Sequence, residues 1–371
     1  MSTLTRLGWG PFFDEQVRAR GASELKFARV MEEQRGLYSI AGDADGWAEV
    51  GGRFRHDAAT AADFPAVGDW VGVRVQGSGF RVQSADRAQG PESRHVIDVV
   101  LNRRSVLSRA AAGDRVEQQV MAANVDTVFL VSALTQELNP RRIERYLTLV
   151  WDAGAVPVVL LNKTDLSPDP TAACESLRAR LPLIDVVPVS ALEGANMDAL
   201  APYLRPAQTI ALLGSSGVGK STLVNRLLGR DAFRVGAARE SDGKGRHTTT
   251  SRQLVELPGG ALLIDTPGMR ELQLWSDESA VDKTFDDITA LAAGCRFADC
   301  AHGGEPGCAV AAAVIAGTLD ADRLASYQRL AREVAFEDRK HDKAAAAEHK
   351  RQWKALHKAQ KAMYKTRERL E

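Results

Sequence analysis

Residues 209–229 read TIALLGSSGVGKSTLVNRLLG, a strand, a glycine-rich turn and a helix in succession. The apolar run TIALL predicts a buried strand, and STLVNRLL predicts a helix. Between them Gly214, Ser215, Ser216, Gly217, Val218, Gly219, Lys220 and Ser221 satisfy GxxxxGK[ST]. The glycines let the backbone turn so that successive N–H groups point at phosphates, and the N-terminus of the following helix adds partial positive charge. In that geometry Lys220 sits on the β and γ phosphates, Ser221 offers its hydroxyl to Mg²⁺, and Thr222 closes the candidate phosphate-binding set. The motif specifies a nucleoside triphosphate and leaves the base open.

The base is addressed upstream. Asn162-Lys163-Thr164-Asp165 follows the apolar run VPVVLL, so it occupies a loop at the carboxyl end of a buried strand, where α/β sheets place their ligands. An Asp there accepts two hydrogen bonds from the guanine ring and its amino group. Adenine lacks that donor pair, so ATP would leave a carboxylate unpaired, at a cost of several kcal/mol. Ser190-Ala191, closing DVVPV, fits the backbone contact to the guanine oxygen. The expected ligand is GTP, with GDP as product.

Downstream, Asp265-Thr-Pro-Gly268 ends the strand ALLID, which places the Asp265 carboxylate near the metal and the Gly268 N–H near the γ phosphate. The polar run ESDGKGRHTTTSRQ, residues 240–253, reads as a mobile loop. One hydroxyl among Thr248, Thr249 and Thr250 is expected to complete the Mg²⁺ shell in the GTP state, with Thr250 the leading candidate. Met269 stands directly after the glycine, where familiar GTPases soon carry a water-positioning Gln, and methionine cannot orient water. His247, in the loop that closes over the γ phosphate, is the candidate replacement, because imidazole has both a donor and an acceptor; a capping or solvent-exposed role is the other reading. Unassisted turnover is expected on the order of 10⁻⁴ to 10⁻² per second.

Apolar runs alternate with helical segments from residue 127 onward: TVFLVSAL, PRRIERYLTLVWDAG, VPVVLLNK, CESLRARL and DVVPVSAL. Continuous Val/Leu strands between helices are buried on both faces of a parallel sheet. Earlier, GLYSIAG, GWAEVGGRF, DWVGVRVQ and GFRVQSA alternate apolar and polar residues between Gly, Asp and Pro, which predicts a small antiparallel barrel. Its five short strands fit an OB-fold, used either for oligonucleotide binding or for packing alone. The first thirty residues give no clear periodic signal.

The 371 residues are 44% hydrophobic and 26% charged, ordinary for a globular chain of two or three domains, with no apolar run of bilayer length. No basic-then-apolar leader is visible at residues 1–16, and a cytoplasmic location is expected. Net charge is zero, yet residues 339–371 hold eleven Lys/Arg against four Asp/Glu, so the tail carries +7 and the remainder −7. Lys350, Arg351, Lys354, Lys358, Lys361 and Lys365 recur near helical spacing, as a solvated helix or as an arm for a polyanion. Trp353 and Tyr364 either stack on exposed bases or pack. Cys295-x4-Cys300-x-His302-x5-Cys308 supplies three thiolates and one imidazole, a closed tetrahedral set for one structural Zn²⁺. Cys174 stands alone.

Asn162 and Ser190 precede the phosphate loop, whereas ordinary GTPases carry those motifs last. The permuted order, AANVD at residues 122–126, GRHTTT, DTPG and the Cys/His cluster together resemble the RsgA (YjeQ) family over roughly residues 30–370. Beyond an N-terminal extension (1–29) that lies outside it, the resemblance implies a multidomain α/β chain: an OB-fold β-barrel (30–110), a circularly permuted P-loop GTPase domain (111–280) and a helical zinc-binding domain with a basic tail (281–371). It also implies a Mg-dependent GTP hydrolase, acting late in assembly of the small ribosomal subunit, with that subunit and its rRNA as partners. A monomer is expected, with no membrane association. A GTP-dependent RNA-binding scaffold with incidental hydrolysis is the alternative, and a P-loop ATPase or metal-delivery GTPase the third reading.

Overall fold

Two short helices open the chain, α1 (Thr3–Arg6) and α2 (Pro11–Arg20), the second started by Pro11 and ended by Gly21 in the left-handed conformation. The computed structural model of the chain describes residues 2–21, 24–75, 95–110, 118–135, 138–230, 252–265 and 278–341. The opening helices are ordered by aromatic packing rather than by periodicity. The Trp9 ring lies 5.4 Å from Phe13, 5.4 Å from Phe27 and 4.8 Å from Trp70, and its Nε1 donates to Asp14 Oδ1 at 2.7 Å.

Next comes the barrel: β1 (Lys26–Gln34), β2 (Leu37–Gly42), β3 (Gly46–Val50), the short helix α3 (Gly52–Asp57), β4 (Trp70–Val75) and β5 (His95–Val100). The strands run in the order β1-β2-β3-β5-β4, and β4 pairs back onto β1 to close the barrel. Alternate residues such as Val30, Ile40, Ala48, Val71, Val73 and Ile97 fill it. The expectation of a wholly antiparallel barrel needs one correction, since β3 and β5 are parallel, Ala48 opposite His95. That geometry follows from connectivity, because β4 intervenes in sequence between β3 and β5 and lies between β5 and β1 in the barrel. The expected strand GFRVQSA lies outside the described residues.

A hairpin of β6 (Val106–Ala110) and β7 (Gln118–Ala123) leads into the nucleotide-binding fold. That fold comprises β8 (Thr127–Ala133), α4 (Pro140–Asp152), β9 (Val156–Asn162), α5 (Pro170–Arg180), β10 (Val186–Pro188), β11 (Thr209–Leu213), α6 (Lys220–Leu228), β12 (Arg252–Glu256) and β13 (Leu262–Asp265). The parallel order β10-β9-β8-β11-β13 puts the two base-directed loops and the phosphate loop on one edge of one sheet. Strand β11 is buried along its whole length, as its apolar sequence requires. Arg252 and Gln253, read from sequence as the end of a polar loop, instead begin β12, which is antiparallel to β13. β12 in turn pairs with β1, Glu32 opposite Gln253, so the barrel and the nucleotide fold share a single 11-stranded sheet.

The chain divides into two compact units, Met1–Gln273 and Leu274–Glu371. The second unit is helical: α7 (Glu278–Thr284), α8 (Asp286–Ala292), α9 (Ala309–Ile315) and α10 (Ala321–His341). Its core includes Val281, Phe285, Ile288, Val310, Leu330 and Val334. The buried Arg323 guanidinium pairs with Asp287, donates to Thr284 O at 3.1 Å and covers the Phe285 ring at 4.9 Å.

Candidate functional site

Asn162 ends β9 and is buried, with its carboxamide extended between two loops. Nδ2 donates to Val218 O in the phosphate loop at 2.8 Å, while Oδ1 accepts from the Ala191 N–H at 2.9 Å. One side chain therefore joins three sequence-predicted segments that lie up to 56 residues apart. Lys163 follows in the left-handed conformation at φ 64°, and Thr164 and Asp165 enter a 3-10 turn, Thr164–Leu166. Asp165 is exposed, and its Oδ1 accepts from the hydroxyl of the fully buried Ser190 at 2.5 Å. A solvent-facing carboxylate aimed by a buried hydroxyl suits a donor pair arriving with a ligand.

The phosphate loop runs from Gly214 to Lys220 between β11 and α6. Gly219 has φ 93°, and a Cβ there would lie 2.3 Å from Asn162 Nδ2, so close approach of the two loops requires glycine. At the loop entrance Gly214 runs against Val131 of β8, where a Cβ would fall 2.2 Å from Val131 O. Lys220 Nζ is turned onto the loop's own carbonyls, Gly214 O at 2.7 Å and Ser215 O at 2.6 Å. Ser216, Gly217 and Ser221 are exposed, and Val218 is buried. Ser221 and Thr222 lie in the first turn of α6.

Asp265 ends β13, one strand away from β11, with its backbone opposite Gln253. Its side chain, together with His247, Thr248, Thr249, Thr250, Gly268 and Met269, lies outside the described residues, as do Lys350, Arg351, Trp353, Lys354, Lys358, Lys361, Tyr364 and Lys365.

One supporting residue here escapes sequence reasoning. Arg226 on α6 donates to Ala191 O at 3.2 Å and Leu192 O at 2.5 Å, tying the helix after the phosphate loop to the base loop. No motif marks it, and only the fold makes it visible. The motif AANVD forms a joint between segments. Asn124 Nδ2 donates to Gly68 O in the barrel at 3.0 Å, and Asp126 Oδ2 accepts from the Thr209 N–H at the start of β11 at 2.7 Å.

In the second unit Cys295, Cys300, His302 and Cys308 bring their ligand atoms within 4.8 Å of one another. Cys295 Sγ lies 3.9 Å from Cys308 Sγ and 3.7 Å from His302 Nδ1, and Cys308 Sγ lies 3.5 Å from that nitrogen. A tetrahedral ion with ordinary zinc bond lengths has edges of about 3.8 Å between thiolates and about 3.6 Å from thiolate to imidazole. The cluster therefore fits one four-coordinate metal ion. Glu305 shapes the turn: Oε1 accepts from the Ala301 N–H at 3.1 Å and Oε2 from the Gly303 N–H at 2.7 Å, straddling His302 at φ 57°. Gln328 on α10 donates to His302 O at 3.0 Å. Cys174 is buried on α5, and burial pushes its thiol above the ordinary range.

The family model for the RsgA GTPase matches residues 100–275. The small ribosomal subunit biogenesis GTPase RsgA of Opitutus terrae is 47% identical over 371 residues, covering 100% of this chain and 99% of that protein. The protein of the same name from Methanosarcina acetivorans is 47% identical over 278 residues, covering 74% of this chain and 71% of its own length. Among solved structures, YjeQ from Thermotoga maritima aligns at TM-score 0.60 with 25% identity, over 83% of this chain and 98% of that one. YloQ, described as a circularly permuted GTPase, shares the fold at TM-score 0.56, with 24% identity over 84% of this chain and 95% of its own. A phosphate loop and a base loop joined through Asn162, in an order that places the base loop first, accord with these relatives, and the chain belongs to the RsgA GTPase family of GTP hydrolases.

Proposed function

We propose that this GTPase works on the small ribosomal subunit late in its assembly, hydrolysing GTP to GDP and phosphate while bound to rRNA. The observation that carries the nucleotide half is the Asn162 carboxamide, which unites the base loop with the phosphate loop at Val218. The ribosomal half is supported by the names of the relatives and by the +7 tail.

Within that reading Asp165 takes the guanine N1–H and amino group, and the Ala191 segment takes the guanine oxygen. The N–H groups from Gly214 to Gly219, with Ser221 and Thr222 on α6, wrap the phosphates, and Lys220 leaves the loop carbonyls for the β and γ phosphates. Mg²⁺ neutralises charge across those phosphates when bound with the nucleotide, and Ser221, Asp265 and Thr250 are its candidate ligands. The exposed position of Ser221 at the start of α6 suits that contact. His247 orients the attacking water, and Gly268 donates its N–H to the γ phosphate.

The Cys/His cluster holds Zn²⁺, because three thiolates and an imidazole favour zinc and leave no vacant position for catalysis. We retain the division into an extension (1–29), a barrel (30–110), a GTPase domain (111–280) and a zinc domain with its tail (281–371), acting as a cytoplasmic monomer. If the tail neutralises about six phosphates, affinity for rRNA falls on the order of a thousandfold between 50 and 200 mM salt.

GTP turnover measured with and without purified small subunits tests the proposal. Stimulation by the subunits is expected. Turnover unaffected by them removes the ribosomal half and leaves a scaffold or another partner; His247→Ala with unchanged turnover removes the role given to that histidine.

A further inference from the structure

Arg142 occupies the first turn of α4 and is exposed. A helix N-terminus repels a cation, and this first turn contains no acidic residue to offset that. The nearest carboxylate in sequence, the buried Glu144, is engaged by Arg180, whose Nε lies 2.7 Å from Glu144 Oε1. Among the described residues Arg142 forms no ion pair. Its guanidinium instead donates Nη1 to Ser215 Oγ at 3.0 Å, 73 residues away in the phosphate loop.

The parallel pairing of β8 with β11, Leu130 opposite Leu213, explains the encounter. It brings the turn after β8 and the loop after β11 to the same sheet edge. A small open cleft lies there, bordered by Ser132, Asn139, Arg142, Tyr146, Ser215 and Ser216. The base loop meets the phosphate loop at its other end, through Asn162 at Val218 and Gly219. A nucleotide with its base over Asp165 therefore directs its outermost phosphate toward the Gly214–Ser216 end, the end at which Arg142 stands.

We propose that Arg142 is a further nucleotide-positioning residue, a guanidinium parked on Ser215 that takes the terminal phosphate of GTP and so distinguishes GTP from GDP. A guanidinium matches phosphate oxygens in a planar, bidentate way and stays charged at every physiological pH. Its rotation from a neutral hydroxyl to a charged oxygen is favourable because hydrogen bonds with both partners charged are the stronger ones. The inference rests on the assignment of GTP as ligand above, and goes beyond it in naming a residue outside the recognised motifs.

The test compares wild type, Arg142→Ala, Arg142→Gln and Arg142→Lys for affinity to fluorescent GDP and to a fluorescent non-hydrolysable GTP analogue, together with single-turnover hydrolysis. Glutamine keeps a donor for Ser215 and removes the charge, which separates a phosphate contact from a brace on the loop. The Ala and Gln variants are expected to lose affinity for the analogue on the order of tenfold or more, with GDP affinity unchanged. Lysine is expected to recover part of the loss. Equal losses for both nucleotides, or none for either, overturn the inference while leaving the GTP assignment intact. Wild type that binds neither guanine nucleotide overturns the GTP assignment itself.

Discussion

Arg29 in β1 donates Nη2 to the main-chain carbonyl of Asn124, 95 residues later, at 3.1 Å, and the guanidinium is wholly buried. Its Nε donates to Gly68 O at 3.1 Å and its Nη1 to Leu7 O at 2.5 Å. Three segments thus converge on one cation: the N-terminal helices, the barrel and the entry to the nucleotide fold. Burial pulls its pKa down to about 10, partly offset by Asp126, so the group stays charged at neutral pH.

Arg29→Met takes the charged donor from three buried carbonyls, of which Gly68 O keeps a second one, from Asn124 Nδ2. Buried acceptors deprived of a charged partner cost about 1 to 3 kcal/mol each, and relaxation and water recover part of that. The expected loss is about 3 kcal/mol, or roughly 5 °C in the melting temperature of the first unit. Arg29→Lys is expected to recover little, since one ammonium cannot span three carbonyls held in a fork. Calorimetry decides: a methionine variant as stable as wild type removes Arg29 from its role as the joint.

The nucleotide fold was legible in the sequence because its strands are apolar throughout and its loops carry motifs set by phosphate and guanine chemistry. β8, β9 and β11 lie where TVFLVSA, VPVVLLN and TIALL predict them. The N-terminal helices were not legible, since Trp9 and Phe13 are held by Phe27 and Trp70 rather than by a repeating stripe of their own. β12 was hidden for a related reason: Arg252, Gln253 and Glu256 are polar, and pairing with β13 and β1 makes the strand. In the site, Asn162, Asp165 and Ser190 follow from motif logic, whereas Arg226 and Arg142 depend on helices meeting loops far away in sequence.

Asp165→Asn is expected to exchange the preferred base. In the proposed base site the carboxylate accepts two donors from guanine, and an amide there turns one acceptor into a donor facing another donor. GTP affinity should fall by about 3 kcal/mol, on the order of a hundredfold. Xanthine presents a carbonyl where guanine carries its amino group, so XTP should gain. Competition between XTP and GTP for the variant measures it, and continued preference for GTP would remove Asp165 from the base site.

Gly219→Ala tests the contact between the two loops. The added methyl would lie 2.3 Å from Asn162 Nδ2, on a backbone with φ 93°. Asn162 cannot yield freely, because it is buried and bonded at both ends, to Val218 and to Ala191. The strain costs on the order of 1 to 3 kcal/mol. GDP and GTP should weaken together, because the base loop and the phosphate loop move apart for either ligand. Titration with both nucleotides checks this, and selective loss of one would contradict it.

Removing the metal separates the roles of Cys308 and Glu305. Cys308→Ser takes away a proposed metal ligand that also caps α9, its sulfur accepting from the Ala311 N–H at 3.3 Å, so metal binding and the cooperative melting of the second unit should both be lost. Glu305 does not belong to the Cys/His set. It holds the Ala301 and Gly303 N–H groups on either side of His302, and with them the left-handed turn that aims the imidazole. Glu305→Ala should therefore retain one metal per chain but bind it on the order of tenfold to a hundredfold more weakly, the usual effect of losing a group that orients a ligand. Competition with a chromophoric chelator reads the difference. An alanine variant with wild-type metal affinity would show that the four ligands hold the turn unaided, and nucleotide affinity should stay constant throughout, because every described residue of the nucleotide site lies in the first unit.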